Sequence, residues 1–166
     1  MFPGAFNPEP CVDALLLVIA ANLAPWLASK LFGGRGAAPL DGGTALHDGT
    51  RLLGSHKTWR GLVAGLLASA LTAWAVGYSV ALGLEFGALA LAADALSSFI
   101  KRRLHRAPGA NVPGLDQLPE ALIPLLVLGR PLGIGVTGGI AVSLVFMGLN
   151  LILLRTRRRV GASLRP

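Results

Sequence analysis

The stretch GLVAGLLASALTAWAVGYSVALGL, residues 61–84, runs for 24 positions without a charged side chain. A second stretch of equal length, PLGIGVTGGIAVSLVFMGLNLILL at 131–154, is also uncharged, and a shorter one covers residues 14–29. A helix needs about 20 mostly apolar residues to cross a hydrocarbon core of ~30 Å, so the first two are long enough outright. The rest of the 166-residue chain agrees: 53% is hydrophobic, 14% is charged and mean hydropathy is +0.63. That composition excludes a soluble enzyme, a disordered chain and, with Cys11 alone, a disulfide scaffold. Residues 1–10 lack a basic segment and are interrupted by prolines and Glu9, so no cleaved signal peptide is expected and the first apolar stretch stays in the membrane.

A net charge of +7 would point to nucleic acid in a soluble protein, but here the placement of the charges reads as topology and no nucleic-acid partner is expected. All Lys and Arg except Arg130 fall in three clusters: Lys30, Arg35, Arg51, Lys57 and Arg60; Lys101, Arg102, Arg103 and Arg106; Arg155, Arg157, Arg158, Arg159 and Arg165. Glu9, Asp13 and Glu85 lie at the opposite ends of the apolar segments. The expectation is a single-domain, all-α integral membrane protein over residues 1–166, with five transmembrane helices at about 12–32, 61–83, 85–101, 118–132 and 133–154. Its amino terminus is outside and its carboxyl terminus cytoplasmic, multi-pass in the cell membrane, with Gly-rich and basic loops at 31–60 and 102–117 on the cytoplasmic side. Trp74 and Tyr78 suit the outer interface, and Pro124 should bend the fourth helix.

Polar residues inside this frame carry the chemistry. The first loop is dense in Gly beside Asp, Ser and Thr, in Asp41-Gly42-Gly43, Asp48-Gly49-Thr50-Arg51 and Gly54 through Gly61. Such backbone can approach an anion, with Lys57 and Arg60 adding charge, although without glycine spacing Gly-Lys-Thr elements are no P-loop and a basic loop lying on anionic membrane lipids has the same composition. The third helix is more telling. Asp94, Ser98 and Lys101 fall at i, i+4 and i+7 on one face, with about 10 Å of rise between acid and base. A carboxylate within a membrane helix marks function by default, the plainer alternative being a salt bridge to a neighbouring helix. Asp116, just past the second basic cluster and before a helix, brings a second carboxylate to the same membrane face. Two carboxylates facing several Lys and Arg suit a divalent cation holding a polyphosphate, with Mg²⁺ taking hard oxygen ligands and the basic groups neutralising the remaining phosphate charge.

The segment from Asp48 through Lys57 and Arg60 to Gly61, the run Asp94-Ala-Leu-Ser-Ser98-Phe-Ile-Lys101-Arg102-Arg103, residues 109–113 and Asp116-Gln117 together resemble the CDP-archaeol synthase family of small membrane cytidylyltransferases, relatives of the CDP-diglyceride synthases. The likeness extends to residues 22–30 and to Asp41-Gly42-Gly43, and departs at Ala93, where the family usually carries Gly. The resemblance implies a five-span helical fold, dependence on CTP and Mg²⁺, and transfer of CMP to a lipid phosphate with release of pyrophosphate. On that reading Asp94 and Asp116 hold Mg²⁺, while Lys57, Arg60, Lys101 and Arg102 clamp phosphates, and Ser98 supports the metal or a phosphate. Asp41, Gly42, Gly43, Asp48, Gly49, Arg51 and Arg103 join Lys57 around the nucleotide. The lipid donor stays open between archaeal-type ether lipid phosphate and phosphatidate, as does a homo-oligomer. No general base is needed, because a phosphomonoester is already largely ionised near neutral pH.

Other features read more plainly. His47, His56 and His105 lack zinc-ligand spacing, Gly138-Gly139 suits close helix packing, and the Arg-rich tail is a topology and lipid anchor. A CDP-alcohol phosphotransferase would also use membrane carboxylates and metal, but expects several acids within one short helical motif. A non-enzymatic lipid-binding or transport protein would string its polar groups across the membrane instead of collecting them at one face.

Overall fold

The computed structural model describes residues 8–107, 112 and 114–163, with side chains as far as Thr156. Its helices are α1 Pro8–Phe32, α2 Trp59–Ala75, α3 Val80–Arg103, α4 Gln117–Leu128 and α5 Val136–Ser163. The all-α expectation holds. Three of the helices, α1, α3 and α5 through Val136–Thr156, are long and apolar enough to cross a membrane. With 17 and 12 residues, α2 and α4 extend only about 25 and 18 Å at the usual rise.

Helix limits differ from the expected ones for local reasons. The second helix stops at Ala75 instead of 83, because the chain turns at Gly77, whose φ is +91°. Ser79 then caps the next helix by accepting the Leu82 N–H at 3.1 Å, so α3 begins at Val80 instead of 85. Neither residue carries charge, so the apolar run hides the turn. The fourth helix ends at Leu128 instead of 132, where Ile134 N–H bonds back to Gly129 O at 2.8 Å, and α5 starts at Val136 instead of 133 and continues past 154. The first begins at Pro8 instead of 12, and the third reaches Arg103 instead of 101. Proline in a first turn costs no hydrogen bond, since those N–H groups have no helical partner.

Each helix packs on the next in the chain, and α1 lies against all four others. Small residues set the spacing, as expected where apolar chains face apolar surroundings and only close packing favours association. On α3, a Cβ added at Gly83 would fall 2.6 Å from Ser69 O of α2, and one at Gly87 would fall 2.8 Å from Ser69 Oγ. Leu17, Val18, Phe86, Leu125 and Leu132 are fully buried, whereas Leu67, Leu71, Trp74 and Ile152 are more than half exposed. An outer surface of large apolar side chains suits hydrocarbon rather than water. At one end of the bundle Tyr78 Oη donates to Leu132 O at 3.1 Å, joining the α2–α3 and α4–α5 turns. The opposite end gathers the 33–58 loop, the end of α3 and the start of α4.

Candidate active site at the polar end of the bundle

The loop is organised by Asp41. Its side chain is completely buried and accepts from Gly43 N–H at 3.0 Å, Leu53 N–H at 3.1 Å, Gly54 N–H at 3.2 Å and Arg51 Nη2 at 2.7 Å. Burial alone would push this carboxyl up, but the three backbone N–H groups and the Arg51 guanidinium outweigh it and hold the carboxyl well below the usual range. Gly42, Gly43 and Gly49 take positive φ of 57°, 86° and 72°, which lets the loop fold back within a few residues. Asp48 accepts from Thr50 N and Oγ1, bonds that lower its carboxyl pKa, and pairs with Arg103 of α3 at 2.9 Å. Arg103 also donates to Arg51 O at 3.1 Å and lies 5.3 Å from the centre of the Phe99 ring. These contacts tie the loop to the end of α3. They also present Lys57, whose O accepts from Leu40 N–H at 2.8 Å and whose N–H donates to Gly54 O at 3.2 Å.

Two lysine–carboxylate pairs lie beneath the loop. Lys57 Nζ pairs with Asp94 Oδ2, and Lys101 Nζ with Asp116 Oδ1. All four side chains are largely buried, none more than 26% exposed, and Asp116 also accepts Val112 N–H at 2.8 Å. Asp116 precedes α4 without capping it through its side chain, so its carboxylate is turned to Lys101 and Val112. Arg102 is buried, donates to Ala107 O at 2.8 Å and keeps an Nε–H that has no partner among the described residues.

Two cavities meet at the Lys57–Asp94 pair. A small one of about 100 Å³ lies between the loop and α3, lined by Leu53 and Gly54 and by the basic or polar residues His56, Lys57, Ser98, Lys101 and Arg102. The other, about 540 Å³ and mostly apolar, lies between α1 and α5 and has Asp94 and Glu120 on its wall. Lys57 lines the first cavity and its partner Asp94 the second.

The structure thus brings together Lys57, Asp94, Ser98, Lys101, Arg102 and Asp116. It does not bring Arg60 to either cavity, because that guanidinium turns to the end of α1 and donates to Gly33 O at 2.9 Å and to Arg35 O. Asp41, Gly42, Gly43, Asp48, Gly49, Arg51 and Arg103 build the loop and its anchor and line neither cavity. Residues 109–111 and 113, the side chains of Arg157, Arg158 and Arg159, and Arg165 lie outside the described residues.

Sequence reasoning missed Glu120 and Asn150. Glu120 lies on α4, in electrostatic reach of Asp94, Lys57, Asp116 and Lys101. The signal was available: Glu120 stands four residues after Asp116, on the same side of a helix, in an apolar segment. Asp94, Asp116 and Glu120 offer only hard oxygen donors, which suits Mg²⁺ rather than zinc. No group of three acids, histidines or cysteines close enough to cage a metal exists among the described residues.

Comparison with known proteins gives a consistent result. The CarS-like family model described as CDP-archaeol synthase matches residues 11–154. The chain is 38% identical over 147 residues to a CDP-archaeol synthase of Methanopyrus kandleri, covering 82% of this chain and 81% of that protein. It is 34% identical over 153 residues to another of Pyrococcus furiosus, covering 82% and 86%. It is also similar to a solved structure of an intramembrane enzyme for archaeal membrane lipid biosynthesis, with a TM-score of 0.71, 33% identity, and coverage of 86% of this chain and 90% of that one.

Proposed function

Because the chain belongs to the CDP-archaeol synthase family and is thereby a CTP-dependent cytidylyltransferase, we propose that it moves CMP from CTP to an archaeal-type ether lipid phosphate, with Mg²⁺, at the cytoplasmic face of the cell membrane. The observation that carries this reading is the Lys57–Asp94 pair, shared between a small cavity with Lys57, Lys101 and Arg102 on its wall, fit for phosphate groups, and an apolar cavity fit for a lipid. One substrate is a water-soluble polyanion and the other is anchored in hydrocarbon, so the enzyme needs two entrances and one meeting point.

In the reaction an oxygen of the lipid phosphomonoester attacks the α-phosphorus of CTP. The new P–O bond joins CMP to the lipid, and the bond between the α-phosphorus and the bridging oxygen breaks to release pyrophosphate. Catalysis is mostly positioning and charge neutralisation. Lys57 and Lys101 exchange carboxylate partners for phosphate oxygens when the nucleotide enters, and the Arg102 Nε–H, without a partner among the described residues, offers a further donor. Ser98 adds a hydroxyl on the same wall. Asp94 and Asp116 would hold Mg²⁺, with Glu120 in electrostatic reach of both, and the ion would screen the phosphate charges that would otherwise repel the attacking anion. Asp41, Asp48, Arg51 and Arg103 act through the loop by keeping Lys57 in place, and the glycines at 42, 43 and 49 permit its turns. Arg60 acts likewise, by fixing the loop's departure from α1.

The clustering of Arg35, Arg51, Arg103 and Lys101 at the polar end supports a cytoplasmic position for that end under the positive-inside rule, on the side where CTP is found. All five helices form one membrane-embedded unit, in which α2 and α4 cross together with the turns that extend them. The test is purified protein in detergent with radiolabelled CTP, Mg²⁺ and ether- or ester-linked lipid phosphates, alongside Asp94→Asn. Labelled CDP-lipid that requires Mg²⁺ and disappears in the variant is expected. No labelled lipid from any donor refutes the proposal.

A further inference from the structure

The apolar cavity contains two polar side chains that neither packing nor the metal reading uses. On α1, Ile19, Asn22, Leu23 and Trp26 line it at i, i+3, i+4 and i+7, and on α5 the face from Phe146 through Asn150 to Leu153 repeats that spacing. Asn22 and Asn150 therefore stand on opposite walls, with Asp94 and Glu120 lining the same space. Asn22 donates one amide N–H to Val18 O at 2.9 Å, and Asn150 donates one to Phe146 O at 3.1 Å. The amide carries two N–H groups, so each side chain keeps one donor without a partner among the described residues. An amide half-satisfied against hydrocarbon is unfavourable, and two facing the same cavity call for a ligand with acceptors.

We propose that Asn22 and Asn150 hold the glycerol backbone of the lipid phosphate, each donating its free N–H to one of the two glycerol oxygens that carry the chains. The inference rests on the proposed function and adds to it what fixes the lipid's depth. Two donors meet two acceptors, and the phosphate, one carbon further along the glycerol, is directed to the wall that carries Asp94 and Glu120. A cavity of about 540 Å³ is of the size that encloses a small ligand, so it takes the headgroup, glycerol and first chain carbons. The chains leave between Leu23, Ile152 and Leu153, which line the cavity and are exposed on the outer surface. Ether and ester oxygens both accept hydrogen bonds, so this contact recognises glycerol lipids as a class.

The test compares two substrates in mixed micelles: a dialkylglycerol phosphate, and a monoalkyl phosphate of matched chain length that has no glycerol oxygens. Initial rates are measured for the wild type, Asn22→Leu and Asn150→Leu. Each substitution is expected to raise KM for the dialkylglycerol phosphate about fivefold, the effect of one neutral hydrogen bond, with KM for CTP unchanged. KM for the monoalkyl phosphate should not move in any variant. Equal shifts for both lipids, or no shift for either, overturn the proposal and make the asparagines structural. If the Leu variants do not fold, Asn22→Thr and Asn150→Thr serve instead, because the single hydroxyl proton is taken by the i−4 carbonyl and no donor remains for the lipid. A wild-type protein that makes no CDP-lipid sinks the proposed function and this inference together, whereas product formation with unshifted variants sinks the inference alone.

Discussion

Asp41→Asn should loosen the 33–58 loop and, through it, misplace Lys57. The carboxylate receives two donors on each oxygen: Gly43 N–H and Arg51 on Oδ1, Leu53 and Gly54 N–H on Oδ2. Whichever oxygen becomes NH₂, two donors lose their acceptor and meet another donor. A buried donor left unsatisfied costs about 1–3 kcal/mol, so the pair costs about 3 kcal/mol after local relaxation. At 1.36 kcal/mol per decade this raises the open population of the loop roughly 150-fold. Hydrogen exchange in detergent, read over peptides within residues 39–58, should speed up by about that factor, with peptides from α3 as the unchanged control. The rate of CMP transfer should fall in parallel, because the backbone bonds at Leu40 and Gly54 that fix Lys57 belong to this loop. The pH dependence gives a second reading. The folded-state carboxyl lies well below its unfolded value of about 4, so the loop's stabilisation is fully present above pH 4 and is lost as pH falls through the lower, folded value. Wild-type protection should therefore persist to pH 4, and the variant should show low protection without that acid-dependent step. Exchange within threefold of wild type across the loop would refute the reasoning that Asp41 is its organising contact.

Three further outcomes follow from the same geometry. Glu120→Gln should lower CMP transfer at least 100-fold and raise the Mg²⁺ concentration for half-maximal rate at least tenfold, without lowering the thermal midpoint; an unchanged Mg²⁺ titration removes Glu120 from the metal site. Arg103→Ala should raise KM for CTP about fivefold and expose the loop to trypsin, because Asp48, Arg51 O and the Phe99 ring lose their common partner; unaltered cleavage of the loop contradicts its anchoring role. Gly83→Ala should destabilise the bundle by about 1–3 kcal/mol, since the added methyl falls 2.6 Å from both Ser69 O and Ala73 Cβ, whereas Gly148→Ala, with nothing within 4 Å, should be neutral or slightly stabilising in detergent melts.

The sequence by itself determined that this is a helical membrane protein, and it singled out the basic residues and carboxylates that the fold gathers at one end. Uncharged runs of 24 residues leave no other solution in hydrocarbon, where every backbone group must bond within its own helix. It also identified Asp94, Ser98 and Lys101 as one helical face, because a period of 3.6 residues is a local property. The end of α2 was not legible, since Gly77 and Ser79 turn the chain without any charge to mark the turn. The partnerships in the site were less legible still. Lys57 meets Asp94 across 37 positions and Lys101 meets Asp116 across 15, contacts that no local pattern encodes. Tertiary structure alone showed that Asp41 and Asp48 spend their carboxylates on the loop, that Arg60 faces the end of α1, and that Glu120 and Asn150 join the cavity. Which oxygen atoms are bound and which remain open to a substrate depends on which helices are neighbours, and that is decided by how the small residues of α1, α2 and α3 let their backbones approach.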